Sequence, residues 1–317
     1  MSIVIKKKEQ LSQASPLRQI ASAAAWVMQN ADHIKIDVGR IPDYYRSVCS
    51  KYSLITHLDP AHHFFSPDKE EMAAYILALD SINFGSGYFD GGLEYTVIAE
   101  GLKTAFETGE LYRPEQWLDV TPEYFSWLLS VPVNDLMILF ARHLCASGEK
   151  IMAEYQGRVL NLVEEADASA LQLAEIVSGW ESFRDISVYK GQVVPFFKRA
   201  QILAADMHLA LSELKDVDKL TMFADNMVPH VLRCDGILEY DTGLASAVEK
   251  GVYLEAGSTE EVEIRAAAIH VVELIKQEAL LQWPQITSVK LDHILWHRGH
   301  ESELYKRPRH RTLTTAY

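Results

Sequence analysis

Asp225 lies in the segment FADNMVP, where a carboxylate comes shortly before a proline that begins or restarts a helix. A carboxylate at such a break can be stripped of water by apolar neighbours while backbone amides aim it, and both conditions tune its reactivity. The same spacing fits an aspartate that only caps the helix beginning near Pro229. The sequence therefore marks Asp225 as a candidate catalytic group and leaves the helix-cap interpretation open.

A second pair of residues is suited to recognising a flat, polar ring. Asp292 and Trp296 are four residues apart in a predicted helix, so the carboxylate and the indole project from one face. A carboxylate accepts two parallel N–H bonds from the N1–H and 2-amino edge of a guanine-like base, while an aromatic ring stacks on it. The alternative is a surface aspartate beside a buried tryptophan.

Twelve histidines call for a test of metal-ligand spacing. His293 and His297 share a helical face, as two zinc ligands often do. However, Ile294 stands where a zincin has its catalytic glutamate, and the chain has no His-Asp dipeptide of the phosphohydrolase type. We expect ordinary helix-surface or hydrogen-bonded histidines and no metal or other cofactor. We interpret Gly85-Ser86-Gly87 as a glycine-rich turn rather than a phosphate loop.

The charge of the chain is unevenly distributed. The whole sequence of 317 residues has a formal net charge of −14, which argues against a polynucleotide or an anionic membrane as partner. Residues 304–317 carry four basic side chains and no acid. Such a segment could receive a small anionic group, or it could be a solvated tail that is basic by chance.

The remaining composition, with 48% apolar and 23% charged residues, is typical of a soluble globular protein. Three dispersed cysteines indicate neither a disulfide framework nor a zinc site. The N-terminal MSIVIKKKEQ lacks the order of a secretory signal, and no apolar run reaches membrane-spanning length. We therefore expect a cytoplasmic protein.

Apolar residues repeat at three- and four-residue steps through most of the chain, which predicts a mainly α-helical fold. After a helix over about 17–31, further helices are predicted at about 68–83, 94–108, 122–130, 134–147, 149–165, 169–180, 195–214, 259–281 and 288–298. At most one small β-ribbon is expected, from 237–240 and 252–254. We interpret residues 1–317 as a single domain, with a shallow division near residue 150 as the alternative.

Helix boundaries follow from local signals. Ser66-Pro67-Asp68 and Thr121-Pro122-Glu123 each predict a hydroxyl cap with proline at the first helical position. Gly109, Gly148 and Gly236 are each predicted to end a helix.

Seven segments taken together resemble the queuosine salvage family, the queuosine 5'-phosphate N-glycosylases. In order, they are ADHIKID, LDSINFGSGYF, FFKRAQILAAD, LTMFADNMVPHVLRCDGILEY, EVEIRAAAIHVVE, LDHILWHRG and RPRHRTLTTAY. The similarity extends from about Ser15 to Tyr317, and its most specific parts are FADN-x-VP and D-x-x-LW with the later P-x-HRT.

The resemblance implies hydrolysis of the N-glycosidic bond of queuosine 5'-monophosphate, which releases the 7-deazaguanine base queuine. It also implies a helical architecture similar to helix-hairpin-helix DNA glycosylases. By position, Asp225 matches the catalytic carboxylate, and His33, Phe223 and Asp292 match residues that hold the base. Trp296 is a neighbouring candidate.

Two departures from the family pattern concern substrate fit. Asn226-Met227 and Pro229-His230 replace residues common among relatives, and His297 stands where some relatives have an acid, so His297 is a candidate contact for the cyclopentenediol of queuine.

For the 5'-phosphate we expect Lys198 or Arg199 together with Arg311. Two other classes remain open: a non-catalytic helical protein that binds queuine or a related deazapurine, and a metal-dependent phosphohydrolase that uses His293 and His297. No direct nucleic-acid or membrane partner is expected.

Overall fold

The computed structural model describes residues 15–48, 51, 57–85 and 93–317. The described α-helices are α1 (Ile20–Gln29), α2 (Ile41–Ser47), α3 (Lys69–Ser81), α4 (Tyr95–Glu107), α5 (Pro122–Leu129), α6 (Asp135–Glu154), α7 (Val159–Glu165), α8 (Ala170–Ser178), α9 (Lys198–Leu211), α10 (Met227–Cys234), α11 (Thr242–Glu249), α12 (Thr259–Ala279), α13 (Ser288–Gly299) and α14 (Ser302–Tyr305). The short strands are β1 (Ile34–Ile36), β2 (Ile186–Tyr189), β3 (Gln192–Pro195), β4 (Leu238–Tyr240), β5 (Tyr253–Leu254) and β6 (Arg311–Thr312). The mainly α-helical fold is confirmed.

Three helices form the centre of the molecule: α3, α9 and α12. In α3, an unbroken apolar run from Met72 to Leu79 is buried on every side of the helix, so α3 needs neighbours all round. Helix α9 packs against α3 and α8, whereas α12 packs against α1, α2, α10 and α13. The buried apolar side chains of these helices belong to one continuous core, and polar side chains within it therefore require a specific explanation.

The strands form three separate pairs within the described residues. β1 pairs antiparallel with β4, β2 and β3 form a hairpin, and β5 pairs parallel with β6. The predicted ribbon between 237–240 and 252–254 is therefore wrong. Both segments contain strands, but α11 separates them along the chain and each pairs with a distant segment instead.

The helix boundaries predicted from local sequence signals were confirmed at some positions and wrong at others. Thr121 caps α5 as predicted, because its side chain accepts a hydrogen bond from the Tyr124 amide. At α3 the cap is Asp68 rather than Ser66, and Pro67 lies outside the helix. Gly109 and Gly236 follow helices with positive φ, as expected.

Gly148 does not end a helix, because α6 continues through it to Glu154. Its lack of a side chain serves a close approach instead: an added Cβ would lie 2.9 Å from the carbonyl oxygen of Pro114. Residue 150, the predicted point of division, also lies inside α6, while the single-domain interpretation stays a prediction.

Among the described residues, no helix combines the length and apolar composition needed to cross a bilayer. The glycine-rich turn predicted at Gly85-Ser86-Gly87 lies outside the described residues except for Gly85. Cys49 also lies outside them.

Candidate active site

Four elements bring ionisable side chains together at one buried place, which we call the acid cluster. It consists of Asp80 near the end of α3, Lys198 and Asp206 on α9, Asp225 in the loop before α10, and Asp292 on α13. The burial of four carboxyl groups around one lysine is energetically costly, which makes this cluster a candidate functional site.

Asp225 is partly buried and is aimed by the beginning of α10. Its Oδ1 accepts hydrogen bonds from the amides of Met227 at 2.9 Å and Val228 at 3.1 Å. Within the described residues, Oδ2 has no hydrogen-bond partner. Asp225 is thus a helix cap through one oxygen, while the other remains available to a ligand.

Opposing effects act on the charge of Asp225. Burial raises the pKa of Asp225, whereas the Lys198 ammonium, the two amides and the Arg309 guanidinium lower it. The net pKa lies above the ordinary value of an aspartate.

Asp292 is more completely buried and has fewer stabilising partners. Its Oδ1 accepts a hydrogen bond from the Phe223 amide at 2.9 Å, which ties α13 to the loop that carries Asp225. Burial and the negative charge of Asp225 hold the pKa of Asp292 well above its usual range. Of these two carboxyl groups, Asp225 is therefore the one that its surroundings favour in the ionised form.

Lys198 is the cation of the cluster. Its ammonium donates to the Asn83 carbonyl at 3.2 Å and interacts with the charges of Asp225, Asp80 and Asp292. Burial lowers the pKa of Lys198 against those attractions.

Asp80 and Asp206 were not among the residues that sequence analysis assigned to the site. Asp80 is fully buried and accepts from the Asn83 side chain, and burial together with Asp206 holds its pKa well above the usual range. Burial raises the pKa of Asp206 to about 7. A carboxylate within a mostly apolar helical run is the sequence signal that could have identified both.

The basic terminal segment contributes a different arginine from the one expected. Arg309 lies close enough to Asp225 to lower the pKa of Asp225, and its Nη1 lies 3.9 Å from Sδ of Met227. Its guanidinium stands over the Tyr305 ring at 5.3 Å. In the part of the chain that the structure describes, no carboxylate forms an ion pair with Arg309.

Arg311 and Arg199 do not extend into the acid cluster. Strand β6 directs Arg311 to Tyr253, whose hydroxyl it contacts and over whose ring it lies at 4.4 Å. Arg199 is buried between Phe84 and Phe183 and donates to the carbonyl oxygens of Ser81 and Ser182. Arg199 therefore joins three segments of the core, which corrects the expectation that it points towards a phosphate.

The aromatic candidates lie at the edge of the cluster. Phe223 is buried, with its ring 6.2 Å from that of His293. Trp296 is partly buried and meets Tyr95 edge-on at 6.1 Å, and the charges of Asp80 and Asp206 act on Tyr95. His297 is exposed and packs edge-on against Trp296, so it is positioned by the tryptophan rather than by the carboxylates.

His33 belongs to another group of residues. Its Nδ1 lies 2.6 Å from Asp241, and its Nε2 lies 3.9 Å from Glu260. The hydrogen bond to Asp241 is the main cause of a raised pKa for His33. None of its contacts within the described residues is to Asp225, Phe223 or Asp292, so the structure does not bring His33 into the acid cluster.

Comparison with known proteins supplies the family. The family model described as queuosine salvage protein matches residues 62–317. A relative from Dictyostelium discoideum, named queuosine 5'-phosphate N-glycosylase/hydrolase, is 30% identical over 96% of this chain and 100% of its own length. The chain belongs to the queuosine salvage protein family.

Two further relatives carry the same name. The queuosine 5'-phosphate N-glycosylase/hydrolase of Sphaerobacter thermophilus is 34% identical over 80% of this chain and 84% of its own length. That of Mus musculus is 30% identical over 80% of this chain and 85% of its own length.

The acid cluster lies within the part of the chain that the queuosine salvage model matches, since its members run from Asp80 to Asp292. His33 precedes the matched region. No group of three or more histidine, cysteine, aspartate or glutamate side chains among the described residues has a metal-holding arrangement.

Proposed function

We propose that this protein hydrolyses the N-glycosidic bond of queuosine 5'-monophosphate and releases queuine for reuse in tRNA modification. The observation that carries the proposal is the state of Asp225 in a member of this family. One carboxylate oxygen is fixed by two amides, the other has no hydrogen-bond partner among the described residues, and a buried ammonium acts on the charge of the carboxylate.

Cleavage of an N-riboside builds positive charge on C1' as the base departs. An ionised carboxylate beside the sugar stabilises that charge, and it can also direct or deprotonate the attacking water. Oδ2 of Asp225 has the chemistry for both roles. Because Oδ1 is held by the start of α10, little reorganisation is needed at the moment of reaction.

The leaving base needs other help, since a 7-deazaguanine has no N7 to protonate. We assign its polar edge to Asp292 and its ring face to Phe223 and Trp296. Asp292 favours its neutral form in the free protein because of its raised pKa. N–H donors from the base would lower that pKa and favour the ionised form, which accepts two hydrogen bonds.

For the 5'-phosphate we assign Arg309 in place of Arg199 and Arg311. Arg309 is near Asp225, partly buried and without a carboxylate partner among the described residues. Lys198, surrounded by carboxylates, is better suited to keeping Asp225 ionised than to holding a phosphate.

The proposed partner is thus a mononucleotide in the cytoplasm, with no direct nucleic-acid contact and no cofactor. The acidic chain with a short basic segment agrees with this choice, because one phosphate needs only a few cations.

The test is incubation with queuosine 5'-monophosphate and detection of queuine and ribose 5-phosphate by mass spectrometry. The relative from Sphaerobacter thermophilus serves as the positive control. Release of both products supports the proposal. If a folded preparation binds the nucleotide yet releases nothing while the control does, the chain is a binding protein rather than an enzyme.

A further inference from the structure

We propose that the buried ion pair between Arg265 and Asp185 is a positioning device that holds Asp225 and Lys198 at a fixed separation. The inference rests on the proposed function, because it concerns the same two residues. Arg265 and Asp185 themselves are not members of the acid cluster.

Arg265 provides the connection to Asp225. Its Nε donates to the carbonyl oxygen of Ala224 at 2.9 Å, and Ala224 immediately precedes Asp225. Its Nη1 and Nη2 donate to the two carboxylate oxygens of Asp185 at 2.9 and 2.7 Å. All three arms of the guanidinium are thereby used, which fixes its orientation.

Asp185 provides the connection to Lys198. Its Oδ2 also accepts a hydrogen bond from the Lys198 amide at 3.0 Å, and its carbonyl oxygen accepts from the amides of Phe196 and Phe197 at 3.0 and 3.2 Å. Phe197, just before α9, has a positive φ of 49°, a costly conformation for a residue other than glycine. Asp185 therefore fixes the beginning of α9 in an unusual geometry.

Because Arg265 and Asp185 are both buried, stabilisation of the fold is by itself a poor explanation for their ion pair. Arg265 is 2% and Asp185 6% exposed, with the guanidinium 4.0 Å above the Phe196 ring. Removing two charges from water is expensive, and apolar residues of similar size often stabilise such a site equally well. What apolar residues cannot supply is the set of directed bonds to Ala224 and Lys198.

The decisive experiment compares two double substitutions. In Asp185→Leu/Arg265→Met both charges of the pair are removed together. Glu261, whose Oε1 lies 3.6 Å from Nη1 of Arg265, then loses this cation, and its already raised pKa rises further, which favours its neutral form. The matched control is Asp235→Leu/Arg298→Met, which removes another bidentate pair, with bonds of 2.7 and 2.6 Å, whose members are outside the acid cluster. Both proteins are compared with wild type by circular dichroism, Tm and the kinetics of queuine release.

If the pair positions the site, the Asp185→Leu/Arg265→Met protein folds but its kcat falls at least about thirtyfold, because small displacements of reacting groups are costly. The control retains kcat within about twofold. Equal kcat in both folded proteins would overturn the proposal, as would a kcat loss that simply follows the loss of folded protein.

A second readout needs no substrate. The pKa of Asp225 is measured by carboxyl ¹³C titration in wild type and in Arg265→Lys, which keeps the buried charge but cannot make all three bonds. We expect the pKa of Asp225 to rise in Arg265→Lys, because the Lys198 ammonium is no longer held beside it. An unchanged pKa contradicts the positioning role even if the protein proves not to release queuine, so the two proposals fail separately.

Discussion

At the scale of single residues, the two central carboxyl groups differ because their surroundings differ. Asp225 receives two amides and two nearby cations, Lys198 and Arg309. Asp292 receives one amide and the Lys198 cation, and it faces the negative charge of Asp225. Carboxyl groups driven apart in pKa commonly divide acid and base tasks between them. We accordingly expect Asp225 to act as the ionised group and Asp292 as the one that changes charge when the base binds.

The phosphate assignment is testable with two arginines from the same segment. Arg309→Gln should raise KM for queuosine 5'-monophosphate at least about tenfold, because a charge-assisted bond to the phosphate is lost. Arg311→Gln, whose arginine packs on Tyr253, is the matched control and should change KM less than about twofold.

The nucleoside queuosine, which has no 5'-phosphate, distinguishes a loss of phosphate binding from other effects of Arg309→Gln. Without a phosphate, Arg309→Gln and wild type should have similar KM values. A tenfold effect that persists with the nucleoside would mean that Arg309 acts on Asp225 or on the fold, not on the phosphate.

Some site residues could be identified from the sequence because their signal is local, whereas others depend on long-range contacts. Asp225 was identified from its place before Pro229. The helix-cap interpretation is confirmed, because Oδ1 accepts from two amides at the start of α10, and the catalytic interpretation stays a prediction. Arg309 and Arg311 cannot be distinguished in a basic run. The pairing of β6 with β5 decides which of them points to Tyr253, and that pairing is a long-range contact.

At the scale of secondary-structure elements, apolar periodicity predicted the helices because each helix buries a face or its whole circumference. Strand partners were not predicted, since β1 and β4 lie about two hundred residues apart and their pairing depends on the packed helices. The role of Gly148 was not predicted either, because the sequence does not show which neighbouring group approaches this glycine.

The substitution Gly148→Ala tests this close approach. Alanine normally stabilises a helix interior by about 1 kcal/mol relative to glycine. Here the new Cβ would lie 2.9 Å from the Pro114 carbonyl oxygen, so we expect a lower Tm instead. Exposed Glu149→Ala is the control and should alter stability by less than about 0.5 kcal/mol. A higher Tm for Gly148→Ala would disprove the close approach.

At the scale of the whole molecule, the buried acids link stability to pH. The pKa of Asp206 is raised to about 7 in the folded protein, above its value in an unfolded chain. The stability contributed by its protonated form is thus complete at low pH and is lost as pH rises through about 7.

Asp206→Asn removes this titration. The Tm of the variant relative to wild type should therefore increase between pH 5 and pH 8, as followed by calorimetry. Exposed Asp218→Asn should show no such change. A Tm difference for Asp206→Asn that stays constant over this range would contradict the raised pKa.

We infer that the charge of Asp225 drives cleavage of the glycosidic bond. Single-turnover release of queuine by wild type, Asp225→Asn and Asp218→Asn measures this dependence. Asparagine keeps an oxygen that can cap α10 but removes the charge. We predict a rate at least about a hundredfold lower for Asp225→Asn and an unchanged rate for Asp218→Asn. A folded Asp225→Asn protein that releases queuine at the wild-type rate would exclude a catalytic role for this charge.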